Sequence, residues 1–206
     1  MFKLYGRPGA GSAAAEALLT EMGLDWRYEL VERGADGKAP ASYIANVHPL
    51  GQVPALGLPD GSAMTESAAI MIYLADLKPG FAPAPGDAAR GRYLGLMLHL
   101  ATNTYNADLR VFYAARYSTA EGAADGICAA AKTVLARDCE VLSHALGDGP
   151  YFLGKQFSAL DIYAAMILGW VMQDIADVPF PANLRAHFDR VKARPAILPV
   201  FERNKL

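Results

Sequence analysis

HPLGQVPALGLPDGSAMTES, residues 48–67, decides how the rest of the chain is read. Pro49 and Gly51 mark a bend ahead of an apolar run, Val53 to Leu58. Pro59-Asp60-Gly61-Ser62 is turn chemistry: proline presets φ, aspartate bonds its own backbone, and glycine tolerates φ > 0. Ala63 and Met64 resume an extended run, so Val53–Leu58 and Ala63–Met64 predict a hairpin.

Pro54 cannot donate to a ladder, which confines it to an edge or to the first residues of a strand. An X-Pro bond is also where a cis peptide is accessible. A cis bond at Val53–Pro54 would turn the Val53 N–H and C=O toward a ligand lying beside the sheet. Thr65-Glu66-Ser67 then opens a helical pattern at Ala68, Ile70, Met71, Ile72 and Leu74, with Thr65 as the expected N-cap. The N–H groups near Glu66 and Ser67 become first-turn donors, suited to an anion.

Before this stretch, Phe2–Tyr5 reads as a short strand stopped by Gly6, and Arg7–Ser12 as a loop. Ala13–Met22 reads as a helix with Ser12 as N-cap and Gly23 as its stop. Trp26, Tyr28 and Leu30 alternate with Arg27 and Glu29, a second strand. Ala41–Asn46 is a short helix. The order is β-α-β-α-β-β-α.

Residues 78–87, KPGFAPAPGD, hold three prolines and two glycines and cannot form a helix interior. They separate an N-terminal domain, residues 1–77, from an all-helical domain, residues 88–206. Helices are expected over Ala88–Tyr117, over Thr119–Gly147 (capped by Ser118 or Thr119), over Leu160–Asp174 and over Leu184–Ala193, with a last turn or two at Ile197–Arg203. Ser158-Ala159-Leu160-Asp161 has capping-box form with Asp in place of Glu.

Composition narrows the function. The 206 residues carry a net charge of −2, which gives no electrostatic argument for nucleic acid or an anionic membrane. No stretch resembles a signal peptide, and Ile162–Met172 is too short to span a bilayer, so a cytoplasmic protein is expected. Cys128 and Cys139 share one helix face about 16 Å apart, beyond disulfide reach, with no metal-ligand spacing. They read as packing residues.

HPLGQVPAL, a turn, then TES before a helix resembles the glutathione-binding half of the cytosolic glutathione S-transferases. YFLGKQFSALDIYAA (151–165) is similar to that family's C-terminal folding signature, and the resemblance covers essentially the whole chain. It implies an α/β thioredoxin-like domain followed by an all-α domain, and a homodimer. It implies that Val53, beside a cis Pro54, pairs through its backbone with the cysteinyl part of glutathione. Glu66 and Ser67 would hold the γ-glutamyl end. Gln52 and Lys38 are further expected contacts, Lys38 near the glycyl carboxylate.

KLY…PGAGS (3–12) resembles the start of the bacterial beta class, which carries a cysteine where this chain has Gly11. Glycine cannot form a mixed disulfide with glutathione. Half-ionising a thiol of pKa about 8.5 near pH 7 takes roughly 2 kcal/mol. A helix N-terminus supplies about 0.3–1 kcal/mol and a hydrogen bond to the charged sulfur about 1.5–3 kcal/mol. The first helix offers N–H groups near Gly11 and the Ser12 hydroxyl. Ser12 reads either as catalytic donor or as helix cap, with the backbone N–H groups of Gly11 and Ser12 as the alternative donors.

The electrophile pocket is expected between the domains. Asn106, Arg110, Tyr113 and Tyr117 form one helical stripe, extended back to Asn103, and Arg7 faces the same cleft. The leading expectation is conjugation of glutathione to a small hydrophobic electrophile, without a metal. Two others stay open: glutathione-dependent disulfide or peroxide reduction, and a glutathione- or ligand-binding protein with little catalysis.

Overall fold

The computed structural model describes all residues, Met1–Leu206. The chain divides into two compact units, one built from Met1–Ala82 with Ala193–Leu206, the other from Pro83–Lys192.

The first unit follows the expected order: β1 (Phe2–Gly6), α1 (Ser12–Glu21), β2 (Trp26–Leu30), α2 (Ala41–Asn46), β3 (Ala55–Gly57), β4 (Ala63–Thr65) and α3 (Ser67–Asp76). The sheet order is β2-β1-β3-β4, with β1 parallel to β2 and antiparallel to β3. Leu4 and Leu56 are partners in register and fully buried, as are Ala13, Ala14, Ala17, Leu18, Ile70, Met71 and Leu74 of α1 and α3. The next pair, Tyr5 and Ala55, points to the opposite face, as strand alternation requires. There Ala55 clusters with Val31, Ala39 and Tyr43, and Tyr5 packs against them.

Two local expectations are corrected. The first hairpin strand starts at Ala55 rather than Val53, because Pro54 cannot join the ladder. The helix after the hairpin is capped by Glu66, not Thr65, since β4 runs through Thr65.

The C-terminal stretch departs from the expected boundary. Residues 88–206 do not all belong to the helical unit: Ala193–Leu206, including α9 (Leu198–Arg203), packs into the first unit. Ile197, Val200, Phe201 and Leu206 are buried, and Arg194 and Arg203 pair with Glu21 and Glu16 of α1. Apolar burial and two ion pairs therefore tie this stretch to α1.

The second unit holds α4 (Arg90–His99), α5 (Tyr105–Phe112), α6 (Ala123–Leu146), α7 (Ala159–Asp174) and α8 (Ala182–Lys192). A π-helical turn, Leu100–Thr104, joins α4 to α5, and a short 3-10 segment spans Ala114–Tyr117. The expected helix 88–117 thus runs from Arg90 to Phe112 with a π turn inside it, and Ala114–Tyr117 forms a separate 3-10 segment. Asn106 Nδ2 donates to the carbonyls of Ala101 and Thr102, satisfying groups at the widened turn. α6 starts after Gly122, which takes a left-handed φ of 73°, so neither Ser118 nor Thr119 caps it. The capping box at Ser158 and Asp161 is present, and α7 behind it is almost wholly buried. No helix is long and apolar enough to cross a membrane.

Candidate functional site

Strand register decides which loops meet. Tyr5 of β1 lies opposite Ala55 of β3, and Ala55 lies opposite Thr65 of β4. The residues just beyond these pairs are Gly6 and Arg7, Val53 and Pro54, and Glu66 and Ser67. All three segments leave the sheet at one end, and that end is the candidate site.

The Val53–Pro54 bond is cis. The loop leading to it is braced from α2: the Tyr43 hydroxyl donates to the Gln52 carbonyl at 2.6 Å. His48, itself buried, accepts from the Leu50 N–H through Nδ1 and from the Gly51 N–H through its carbonyl. Gly51 has φ of 63°, and a Cβ there would come within 3.1 Å of Ala39 Cβ. A side chain there would strain the backbone and crowd Ala39, which favours glycine. Gln52 is exposed and Val53 half-buried, with neither Val53 backbone group bonded to another backbone group.

Glu66 has φ of 69° and ψ of 109°, an unusual conformation for a residue with a side chain. Such outliers persist where surrounding structure imposes them, and they concentrate at ligand sites. The Glu66 side chain is exposed, and half-buried Ser67 begins α3. An anion beside them would meet the N-terminal end of that helix.

The third segment corrects the reading of Ser12. It does not cap α1, whose N-cap is Gly11. Its side chain is 0% exposed, and its hydroxyl donates to the Arg7 carbonyl at 3.1 Å while accepting from the Arg7 N–H at 3.2 Å. The Tyr28 hydroxyl is a further partner. Burial pushes the Tyr28 phenol above its ordinary pKa, the bond to Ser12 opposing it. A Cβ on Gly6 would lie 2.7 Å from Ser12 Oγ and 2.8 Å from the Tyr28 oxygen. Ser12 is thus sealed beneath the loop as a brace. At the mouth of α1, Ala13 N–H donates to the Ala10 carbonyl, whereas the Gly11 and Ser12 N–H groups donate to no backbone carbonyl.

The remaining expected residues are placed as follows. Arg7 lies near enough to Tyr28 and Tyr43 to favour ionisation of both phenols, which sets its charge beside β2 and α2. Burial dominates at Tyr43 all the same and raises its pKa to about 12. Lys38 is exposed in a loop closed by a Gly34 N–H to Lys38 carbonyl bond of 2.9 Å.

In the helical unit the expected stripe is not continuous. Asn103 lies in the π turn, Asn106 and Arg110 on α5, Tyr113 at its C-cap and Tyr117 in the 3-10 segment. Much of its polarity is spent locally. Asn103 Nδ2 lies 3.1 Å from His99 Nδ1, and Arg110 donates to the Asn106 carbonyl while stacking over Tyr117. The Arg116 guanidinium sits 3.9 Å from the Tyr113 ring centre, and Tyr113 stays exposed.

Sequence reasoning missed Tyr43, Tyr28, Glu16 and Asn204. All act through tertiary contacts that no local pattern announces. No group of three or more His, Cys, Asp or Glu side chains is placed to hold a metal ion.

Comparison with known proteins agrees with this geometry. Residues 12–77 match the model of the glutathione S-transferase N-terminal domain, and residues 113–203 that of the C-terminal domain. The chain belongs to the glutathione S-transferase family. It is 29% identical over 214 residues to an uncharacterized GST-like protein, YncG, of Escherichia coli K12, covering 100% of both chains. A sphingomonad glutathione S-transferase solved with glutathione shares 30% identity, 99% coverage of each chain and a TM-score of 0.80. The beta-class enzyme of Sphingomonas chungbukensis shares 28%, with 98% coverage of each and a TM-score of 0.79.

Proposed function

We propose that the chain binds glutathione at the shared end of β1, β3 and β4, stabilises its thiolate, and conjugates it to a small hydrophobic electrophile. The observation that carries this reading is the strand register, which gathers cis Pro54, the Glu66–Ser67 helix start and the mouth of α1 in one place. The backbone of Val53 pairs with the cysteinyl unit. Glu66 takes the γ-glutamyl amine and the N-terminal end of α3, with Ser67, its carboxylate. Gln52 and Lys38 complete the peptide contacts.

The Gly11 and Ser12 N–H groups point their donor capacity and the α1 dipole at the sulfur. Together these supply about 2 kcal/mol, enough to half-ionise the thiol near neutral pH. Ser12 thus acts through its main chain, its hydroxyl being committed to Arg7. The thiol proton passes to solvent, the sulfur lone pair forms a C–S bond, and the leaving group departs with the electrons of the bond it held. Holding sulfur and electrophile together is the other half of the rate. Arg7, Asn103, Asn106, Arg110 and Tyr113 are the proposed electrophile contacts. A homodimer, as the family resemblance implies, is the proposed working form.

Turnover separates the alternatives. Conjugation of a halogenated nitroaromatic by the wild type, lost in Glu66→Ala, is expected. Turnover of a glutathione-linked disulfide alone would assign reduction instead. Glutathione binding with neither activity would make the chain a carrier.

A further inference from the structure

The loop that opens α1 is held from the far end of the chain. Asn204, the C-cap of α9, is 2% exposed and makes three side-chain hydrogen bonds. Its Oδ1 accepts from the Gly9 N–H at 3.0 Å. Its Nδ2 donates to Glu16 Oε2 at 3.1 Å and to the Val200 carbonyl at 2.8 Å. The partners fix the amide orientation, because an N–H requires the oxygen while a carboxylate and a carbonyl require the NH2 group. Glu16, one turn into α1, is 2% exposed, and its other oxygen pairs with Arg203. Gly9 itself takes φ of 68°.

One buried amide therefore joins the loop before α1 to the body of α1 and to the C-terminal helix. It does so two residues from Gly11. Ser12 braces the loop at Arg7; nothing but Asn204 bonds the Gly9 N–H.

We propose that Asn204 is a positioning residue for thiol activation: its hydrogen bond to Gly9 sets the Gly9-Ala10-Gly11 backbone so that the donors at the mouth of α1 meet the glutathione sulfur. The assignment rests on the glutathione-transferase reading above. It makes a residue at the C-terminus part of the N-terminal unit's chemistry without contact to substrate. A hydrogen bond to a charged sulfur weakens steeply with misalignment, so displacement of the loop raises the thiol pKa before it abolishes binding.

The test compares Asn204→Ala with Val200→Ala. Val200 is 4% exposed on the same helix, and its truncation costs packing while leaving the Asn204 side chain in place. The pKa of bound glutathione is read from thiolate absorbance across pH, with affinity from calorimetry. The expected result is a thiol pKa raised by about half a unit or more in Asn204→Ala, a threefold loss of thiolate on the acid side. Val200→Ala keeps the wild-type pKa at equal or greater loss of thermal stability. An unchanged pKa in Asn204→Ala overturns the assignment, as does an equal rise in both variants, which would mean general loosening. Failure of the wild type to bind glutathione would instead bring down the functional reading and the assignment with it. Should Asn204→Ala not fold, the wild type still decides. Its Gly9 amide is expected to exchange with solvent at least about tenfold more slowly than an unstructured glycine, and exchange at the unstructured rate overturns the proposal.

Discussion

The Tyr43 hydroxyl donates a 2.6 Å hydrogen bond to the carbonyl of Gln52, the residue immediately before Val53. The bond ties α2 to the loop that presents the Val53 backbone. With Tyr43 buried and its pKa raised to about 12, the phenol stays protonated and remains a donor around neutral pH. Tyr43→Phe should cost about 1–2 kcal/mol of stability and weaken glutathione binding several-fold, because it leaves the carbonyl unpaired and the loop unbraced. Calorimetric titration with an accompanying thermal melt checks both. Unchanged affinity would show that the loop holds its shape without α2.

The Asp161 carboxylate accepts from the Phe152 N–H, the Ser158 N–H and the Ser158 hydroxyl, and lies 3.0 Å from His187 Nε2. All of these groups are buried. Asp161→Ala should destabilise the helical unit by about 3–5 kcal/mol by stranding its partners, while Ser158→Ala costs about 1–2 kcal/mol. Denaturant midpoints would measure it. A loss under about 1 kcal/mol for Asp161→Ala would contradict the account.

Asp108 is 2% exposed, its Oδ1 has no hydrogen-bond partner, and burial, with Asp174 adding to it, raises its pKa to about 7. The unfolded chain ionises this group near 3.8. Between these values the folded state binds the extra proton, so stability falls as pH rises through the window and the penalty is complete above about pH 7. Asp108→Asn removes the titration. Its stability advantage over the wild type should widen from pH 5 to pH 7 and then level off, reaching about 1–3 kcal/mol. Melts at several pH values give the curve, and a gap independent of pH would refute the assignment.

Cys139 is fully buried, and burial, with Asp138 and Glu140 nearby, pushes its thiol up to about 12. Cys128 is partly exposed on the same helix. An alkylating reagent at neutral pH should label Cys128 in the native protein and reach Cys139 only after unfolding. Peptide mapping would show it, and native labelling of Cys139 would contradict its burial.

What the sequence made legible was local chemistry. Pro54 in an X-Pro pair, the Pro59–Ser62 turn, Glu66-Ser67 at a helix start and the Ser158–Asp161 box each rest on neighbours a few positions apart. The role of the Ser12 hydroxyl is not legible locally, because it has two claimants, the helix end and the turn backbone. Arg7 and Tyr28 win it, one of them through the parallel β1–β2 pairing. The π turn at Leu100–Thr104 and the end of α5 at Phe112 leave no periodic mark, so a stripe at regular helical spacing does not describe residues 103–117. The reach of Arg203 and Asn204 back to Glu16 is a tertiary event that a short amphipathic ending could not announce.

The most direct test is the pKa of the glutathione thiol on the wild-type protein, from ultraviolet thiolate absorbance across pH in parallel with binding calorimetry. The account predicts saturable binding and a thiol pKa at least about 1 unit below that of free cysteine, close to 8.5. Binding with an unshifted pKa would contradict thiolate activation by the mouth of α1, and no binding would contradict the glutathione site altogether.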